Sequence, residues 1–362
     1  MAQMMSFSSP DHRLDSEYFN SPGGFAWWYT DLVNESGDGA VIIWSWGLPF
    51  LPGYANAERS GKAELPSSRP SISVAIYSKG KPAFYLLQEF TAQDASWDQD
   101  GQWQFGRSTF TTKVVDGVRT LHGSLDLDIP GTNERLQGEY RLTAPARKEL
   151  GTESRDPTHD WSPLSGPAQA SLQATIGDEE VRIDGRGYFD RNGGTRALHR
   201  LGIKDWLWGR VPLADRERIY YVLWGESGQI ESHGLDILED GSTITYPLEA
   251  TVHRAKWSYT GVSYPTGLSL SSGGKPWLEV KHHHTVDEGP FYLRWIVSAE
   301  TEDQRAKGIG EFVVPDNIDQ DLMRPLVRMR VHDLKGPNSM WLPLFAGPAK
   351  GRVKRLVRSL VS

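Results

Sequence analysis

Short runs of β-forming residues, several alternating polar and apolar, succeed one another along the chain, and no helical periods regularly intervene. Ala40 to Trp46, Ser71 to Tyr77, Ala83 to Glu89, Thr109 to Val115, Val118 to Ile129, Leu136 to Leu142, Ile219 to Glu226, Pro276 to Val286 and Phe291 to Ala299 read this way. Gly37-Asp38-Gly39, Asp116-Gly117, Asp240-Gly241 and Ser272-Gly273-Gly274 supply turns between them. A side-chain period of two buries one face of a strand, and strands without crossover helices between them favour a sandwich or barrel over a βαβ sheet. The sequence therefore predicts a mostly β, antiparallel fold. Helix candidates are few: Tyr54 to Lys62, Ile318 to Val327, and the tail.

A chain of 362 residues corresponds to about two domains and holds ample material for a large core. The natural connection is 144–167, APARKELGTESRDPTHDWSPLSGP, dense in Pro, Gly, Ser and charge and lacking either periodicity. The expected layout is an N-terminal extension at 1–17, β-domains at 18–167 and 168–348, and a basic tail at 349–362. A formal charge of −7 argues against a nucleic-acid-binding body, because phosphate contact needs a basic face. The absence of cysteine removes disulfides, Cys-ligated metals and a thiol nucleophile. The opening MAQMMSFSSPDHRLD shows neither a basic n-region nor an apolar h-region, and no run of about 18 apolar residues occurs. A cytoplasmic protein, peripheral on a membrane at most, is the expectation.

Aromatic residues are the compositional oddity: 14 Trp, 13 Tyr and 12 Phe, with tryptophans paired as Trp27-Trp28, Trp44/Trp46 and Trp206/Trp208. An indole offers flat apolar area with one donor, which suits the wall of a cavity for an apolar or cationic guest, or simply fills a core. In Pro22-Gly23-Gly24-Phe25-Ala26-Trp27-Trp28-Tyr29-Thr30-Asp31 the pleat sends Trp27 and Tyr29 to one face and Trp28 to the other. Adjacent indoles are hard to account for unless one face lines a cavity.

The densest constellation runs from Gly185-Arg186-Gly187-Tyr188-Phe189-Asp190-Arg191-Asn192 to Gly193-Gly194, followed by Leu198-His199 and Trp206-Leu207-Trp208-Gly209-Arg210. In an extended chain Tyr188, Asp190 and Asn192 project from one face, placing a phenol, a carboxyl and an amide side by side. Trp206, Trp208 and Arg210 repeat the spacing. A carboxyl facing an aromatic, water-poor cavity has its charged form disfavoured, so it can stay protonated near neutral pH and donate a proton. The alternative is an Asx turn, with Asp190 and Asn192 bonding local backbone beside the glycines. Within His282-His283-His284 at most His282 and His284 could share an ion, and no HExxH spacing supports a metal. Neither a GxSxG elbow, a P-loop nor a dinucleotide fingerprint is present. Chemistry without metal or cofactor is the expectation.

The tail from Lys350 to Ser362 carries five basic residues and no acidic one. On a helix, Val353, Leu356, Val357 and Leu360 form an apolar stripe flanked by Arg352, Arg355 and Arg358. Such a segment either lies on an anionic membrane surface or docks on its own domain.

Taken together, these blocks resemble the carotenoid 1,2-hydratase (hydroxyneurosporene synthase) family, within a lipocalin-like superfamily that also includes cofactor-free Diels–Alderases. The resemblance lies in GGFAWWYTD near the N-terminus, His159-Asp160-Trp161-Ser162-Pro163, Tyr188-x-Asp190-x-Asn192-x-Gly194 continuing to Trp206-x-Trp208-x-Arg210, Gly289-Pro290-Phe291-Tyr292-Leu293-Arg294, and Arg328-Met329-Arg330. It implies two lipocalin-like antiparallel β-domains with an active site between them. It also implies hydration of the terminal 1,2 double bond of an acyclic carotenoid, with Asp190 as proton donor and Tyr188 and Trp161 as its partners. Trp27, Trp28, Tyr29, Glu89, Asn192, Trp206, Trp208, Arg210, Tyr292 and Arg294 are the expected substrate-binding residues. Of these, Trp27, Trp206 and Trp208, together with Trp161, could face a carbocation, and Glu89, Asn192 and Arg210 could position water. The partner expected is an apolar polyene, with membrane contact through Lys350 to Ser362. A cyclase or pericyclase acting on a polyene or terpenoid, and a carrier of an apolar pigment without chemistry, are the alternatives.

Overall fold

In a computed structural model of the protein, the residues described are 4–8, 17–98, 101–148, 159–318 and 320–361. Each run read as β from the sequence forms a strand to within a few residues: Gly39–Trp46, Pro70–Ser78, Lys81–Glu89, Ser108–Val115, Val118–Asp128, Arg135–Pro145, Arg216–Gly225, Lys275–Glu288 and Tyr292–Glu300. Among the described residues the strands form two curled sheets, one of fifteen strands and one of nine. The fold is mostly β and lipocalin-like, with a few short helices.

The centre of the first sheet is the Phe25–Val33 strand, flanked by Gly39–Trp46 and by the long Glu179–Gly194 strand. At the centre of the second, Ile203–Pro212 is paired with Arg216–Gly225 and Arg305–Val313. Pairing is antiparallel apart from two short strands: Met5–Phe7 runs parallel to His159–Pro163, and Val331–Asp333 runs parallel to Lys81–Glu89. The chain changes sheet between Gly194 and Ile203. Ala168–Ile176 and Glu179–Gly194, which the expected boundary at 167 gives to the second domain, hydrogen-bond into the first sheet. A Pro- and Gly-rich stretch marks a break in the strands, and here the chain returns from it to the sheet it left. Residues 149–158 of that stretch, and most of the 1–17 extension, lie outside the described residues.

Helix signals resolve differently. Tyr54–Arg59 is helical as expected, and the tail forms Arg352–Val361, with Ser362 outside the described residues. The single helix expected over Ile318 to Val327 is instead a 3-10 turn at Pro315–Ile318 and a helix at Arg324–Arg328. Pro325 sits in that helix's first turn, where a missing N–H costs nothing; in a helix interior it would break the ladder.

Three apolar cores result. One fills the first sheet's curl and contains Trp28, Trp44, Trp103 and Phe189; one fills the second and contains Leu207, Tyr220, Trp277 and Trp295; the third lies between the sheets. Trp27, Tyr29, Tyr188, Trp161, Trp206, Trp208 and Tyr221 belong to the third. The Phe25–Val33 strand is buried on both faces because it serves two cores at once. This explains the adjacent indoles: Trp27 faces the second sheet, while Trp28 packs on Trp103, ring centroids 3.9 Å apart. Gly209 is required by the same crowding, since a Cβ there would lie 2.2 Å from the hydroxyl of its cross-strand neighbour Tyr220.

Candidate active site

The register of two strands assembles one wall. Asp190 pairs with Tyr29, Asn192 with Trp27 and Tyr188 with Asp31, so all six side chains leave the first sheet toward the second. The opposite wall comes from Trp206 and Trp208, with Tyr221, Glu311 and Val313 on neighbouring strands. Between the walls lies a cavity lined chiefly by aromatic and aliphatic side chains, with a few polar groups converging on it. Phe50 and Phe291, stacked 5.3 Å apart at 21° and both half-buried, form part of its rim.

Asp190 is 3% exposed and holds three donors. Its Oδ2 accepts from Trp161 Nε1 at 2.7 Å and from the Tyr188 hydroxyl at 3.0 Å, and Oδ1 accepts from Asn192 Nδ2 at 2.9 Å. Burial outweighs these donors and pushes the Asp190 carboxyl up to about 8, with the Glu311 and Asp31 charges adding to the rise. Asn192 in turn lies 2.8 Å from His159 Nε2 through its side-chain oxygen. Trp161 is fixed from behind by Phe7, centroids 5.3 Å apart, so the Met5–Phe7 strand of the N-terminal extension buttresses the acid. The acid end of the cavity is aromatic: Tyr188 lies 5.5 Å from Trp208, and Tyr29 lies 5.2 Å from the same ring.

Charged groups gather at the other end. Arg294 donates from Nε to Glu311 Oε1 at 2.7 Å and from Nη1 to the Tyr77 hydroxyl at 2.6 Å. Arg330 pairs with Asp287 and lies over the Tyr85 ring, 4.4 Å from its centroid.

The structure brings Trp27, Tyr29, Asp190, Asn192, Trp206, Trp208, Tyr292 and Arg294 to the cavity wall, while Trp161 and Tyr188 sit behind Asp190 and bond to it. An Asx turn does not account for Asp190 and Asn192, whose side chains bond to each other and to Trp161, Tyr188 and His159. Three expected substrate contacts lie elsewhere. Trp28 is on the other face of its strand. Glu89 is held by Arg69 and does not line the cavity. Arg210, fully buried, bridges Asp31 and Glu217 between the sheets. There its charge offsets the cost of two buried carboxyls, a task that leaves it no reach into the cavity. A register shift separates His282 from His284, and His282 stacks on Trp295 at 4.2 Å while its Nδ1 bonds the Pro265 carbonyl.

Sequence reasoning missed Phe50, Tyr85, Tyr221, Asp287 and Glu311. Glu311 carried a signal, being a lone carboxylate in the otherwise apolar Gly308-Ile309-Gly310-Glu311-Phe312-Val313. Arg330 and Phe291 lie within the Arg328-Met329-Arg330 and Gly289 to Arg294 blocks, where nothing local singles them out.

The relatives of this chain place it among hydro-lyases, on a mostly β, lipocalin-like scaffold. The sequence profile of carotenoid hydratase CrtC matches residues 42–338, and the chain belongs to that family, whose substrates are apolar carotenoids. Among similar sequences, hydroxyneurosporene dehydrogenase of Chlorobaculum tepidum is 26% identical over 349 residues, covering 88% of this chain and 89% of that one. Acyclic carotenoid 1,2-hydratase of Cereibacter sphaeroides is 28% identical over 294 residues, covering 79% and 95%. The same-named protein of Thiocapsa roseopersicina is 24% identical, covering 87% and 75%. Among solved structures, a putative AttH from Nitrosomonas europaea superposes with a TM-score of 0.58 at 16% identity, covering 80% of this chain and 92% of that one. CghA, solved with Sch210972, gives 0.53 at 14% identity, covering 80% and 88%. At those identities the likeness concerns the fold.

Proposed function

We propose that the protein adds water across the terminal 1,2 double bond of an acyclic carotenoid, with Asp190 as proton donor, Trp161 and Tyr188 as its partners, and no cofactor. The observation that carries this reading is a single buried carboxyl raised to about 8 and aimed into an aromatic cavity. At pH 7 a group of that strength is roughly nine-tenths protonated. Trp161, Tyr188 and Asn192 hydrogen-bond the carboxylate more strongly than the acid, so they stabilise the charge that develops as the proton leaves.

Protonation at the less substituted alkene carbon creates a tertiary cation. Trp27, Trp206 and Trp208 present ring area to the same cavity. Two desolvated faces at about 2 kcal/mol each would lower the barrier by about 4 kcal/mol, roughly a thousandfold. Enclosure also keeps bulk water from ionising the acid before substrate arrives.

A carotenoid resides in lipid, and no helix among the described residues is long and apolar enough to cross a membrane. Access to the substrate is assigned to the Arg352–Val361 helix. Its Arg355 turns inward to the carbonyls of Ala346, Pro348 and Lys350, while Val353, Val357 and Leu360 face outward, each half or more exposed. An outward apolar stripe beside Lys350, Lys354 and Arg358 suits an anionic lipid surface.

Incubating purified protein with neurosporene and lycopene and weighing the extracted products tests the reaction. Hydration adds the mass of one water, cyclisation adds nothing, and a carrier returns its pigment unchanged. Asp190→Asn should abolish the conversion while the protein stays folded; a variant that still hydrates would remove Asp190 from its role.

A further inference from the structure

The residues that sequence reasoning set aside for the nucleophilic water do not supply it. Glu89 and Arg210 lie outside the cavity, and the Asn192 amide is committed to Asp190 and His159. Another set of polar groups on the cavity wall has capacity to spare. Trp208 and Glu311 are cross-strand neighbours, and Arg294 is the cross-strand neighbour of Glu311 on its other side. The Arg294 bond engages Glu311 Oε1 and leaves Oε2 available. The Trp208 indole nitrogen and the Tyr292 hydroxyl are both buried without a hydrogen-bond partner among the described residues, and both residues line the cavity. One carboxylate oxygen, one N–H and one hydroxyl on the same cavity wall match in number the two to four partners that an ordered water requires.

We propose that Glu311 holds the water that adds to the substrate and takes its proton, with Arg294 as the positioning residue that fixes the carboxylate. This inference rests on the hydration reading above. Trp208 links the two ends of the site, since its ring contacts Tyr188, the donor to Asp190, and its strand position adjoins Glu311. The Glu311 charge also contributes to the raised affinity of Asp190 for its proton, so the two carboxyls sense each other across the cavity. Asp287, the other wall carboxylate, has both oxygens engaged by guanidinium groups, Oδ1 by Arg330 and Oδ2 by Arg294 at 3.9 Å.

The step balances. The Asp190 O–H bond breaks, and its proton joins the less substituted alkene carbon through the π pair. Water oxygen bonds to the tertiary carbon left electron-deficient, and one water O–H proton passes to Glu311. The product is a neutral tertiary alcohol; Asp190 ends ionised and Glu311 protonated, and exchange with solvent restores both. Acid and base lie on different walls of the cavity, so the proton is given and taken at separate places.

Glu311→Gln keeps the shape and an acceptor for Arg294 but removes the base. Hydration of lycopene should fall about 100-fold in kcat with KM within threefold, and Glu311→Asp should regain part of it. In Glu311→Ala, added formate should restore the rate at least tenfold, whereas formate should do nothing for Asp190→Asn. A structural role for Glu311 would not respond to formate. Should Glu311→Gln fail to fold, Glu311→Asp decides, because it keeps the ion pair while retracting the carboxylate: an unchanged kcat there overturns the proposal. An active Glu311→Gln beside a dead Asp190→Asn sinks the base alone, while wild-type protein that adds no water sinks the hydration reading itself.

Discussion

His159 Nε2 lies 2.8 Å from the side-chain oxygen of Asn192, and the Asn192 nitrogen is already committed to Asp190. The oxygen must therefore accept, which places the imidazole proton on Nε2. Burial drives His159 down to about 4, so it stays neutral at physiological pH. With histidine silent, the alkaline limb of the pH profile belongs to the acid. The logarithm of kcat/KM should be nearly level from pH 6 to 7 and fall with a slope approaching −1 above about pH 8. A level profile through pH 9.5 would remove Asp190 as the titrating donor.

The same carboxyl makes stability depend on pH. Below about pH 4 it is protonated in folded and unfolded chains alike. As pH rises toward about 8 the unfolded chain releases the proton and the folded one retains it, so stability declines across that window. The gap of roughly four units sets a ceiling of about 5 kcal/mol on the loss. Asp190→Asn removes the titration, and the Asn192 amide can flip while neutral His159 shifts its proton to the other nitrogen. The variant should melt higher than wild type at pH 8, with the difference shrinking toward pH 5. A melting difference independent of pH would contradict the burial argument.

Trp27 and Trp28 differ by one position and by one core, and the same logic separates Trp28 from Trp208. Trp28→Phe should cost about 1–3 kcal/mol of stability through lost packing on Trp103, with kcat of the folded fraction unchanged. Trp208→Phe trades the stronger cation-stabilising ring for a weaker one and gives up the indole N–H. Its kcat should fall about tenfold with a melting point within a few degrees. If Trp28→Phe were the variant that lost turnover, the division of roles between the strand's two faces would be wrong.

How far the sequence reaches is visible in these residues. Period two was enough to place Tyr188, Asp190 and Asn192 on one face, because alternation is a property of the strand itself. It could not say which face of a doubly buried strand meets the cavity, so Trp28 was counted with Trp27. Arg210 follows the same spacing as Trp206 and Trp208, yet Asp31 on the other sheet and Glu217 on the next strand capture it. Glu89 is likewise captured by Arg69, twenty residues earlier in the chain. Such pairings come from strand order and from the packing of the two sheets, information that no local window contains.

The C-terminal helix reverses the amphipathic expectation in part. Leu356 is half-buried, but the one fully buried side chain is Arg355, anchored by three backbone carbonyls, and the apolar stripe meets solvent at Val353, Val357 and Leu360. Because Arg355 holds the helix in place, outward substitutions can test docking without unfolding it. Lys350, Lys354 and Arg358 remain exposed, and at about 1 kcal/mol each on an anionic surface they supply up to about 3 kcal/mol, which salt should screen. Val353→Glu combined with Val357→Glu replaces apolar contact by repulsion. Co-sedimentation with phosphatidylglycerol vesicles should drop at least tenfold, while turnover of detergent-dispersed lycopene should stay within twofold. Equal sedimentation of variant and wild type would place membrane contact on some other surface, and a parallel loss of detergent-phase turnover would make the helix part of the catalytic body.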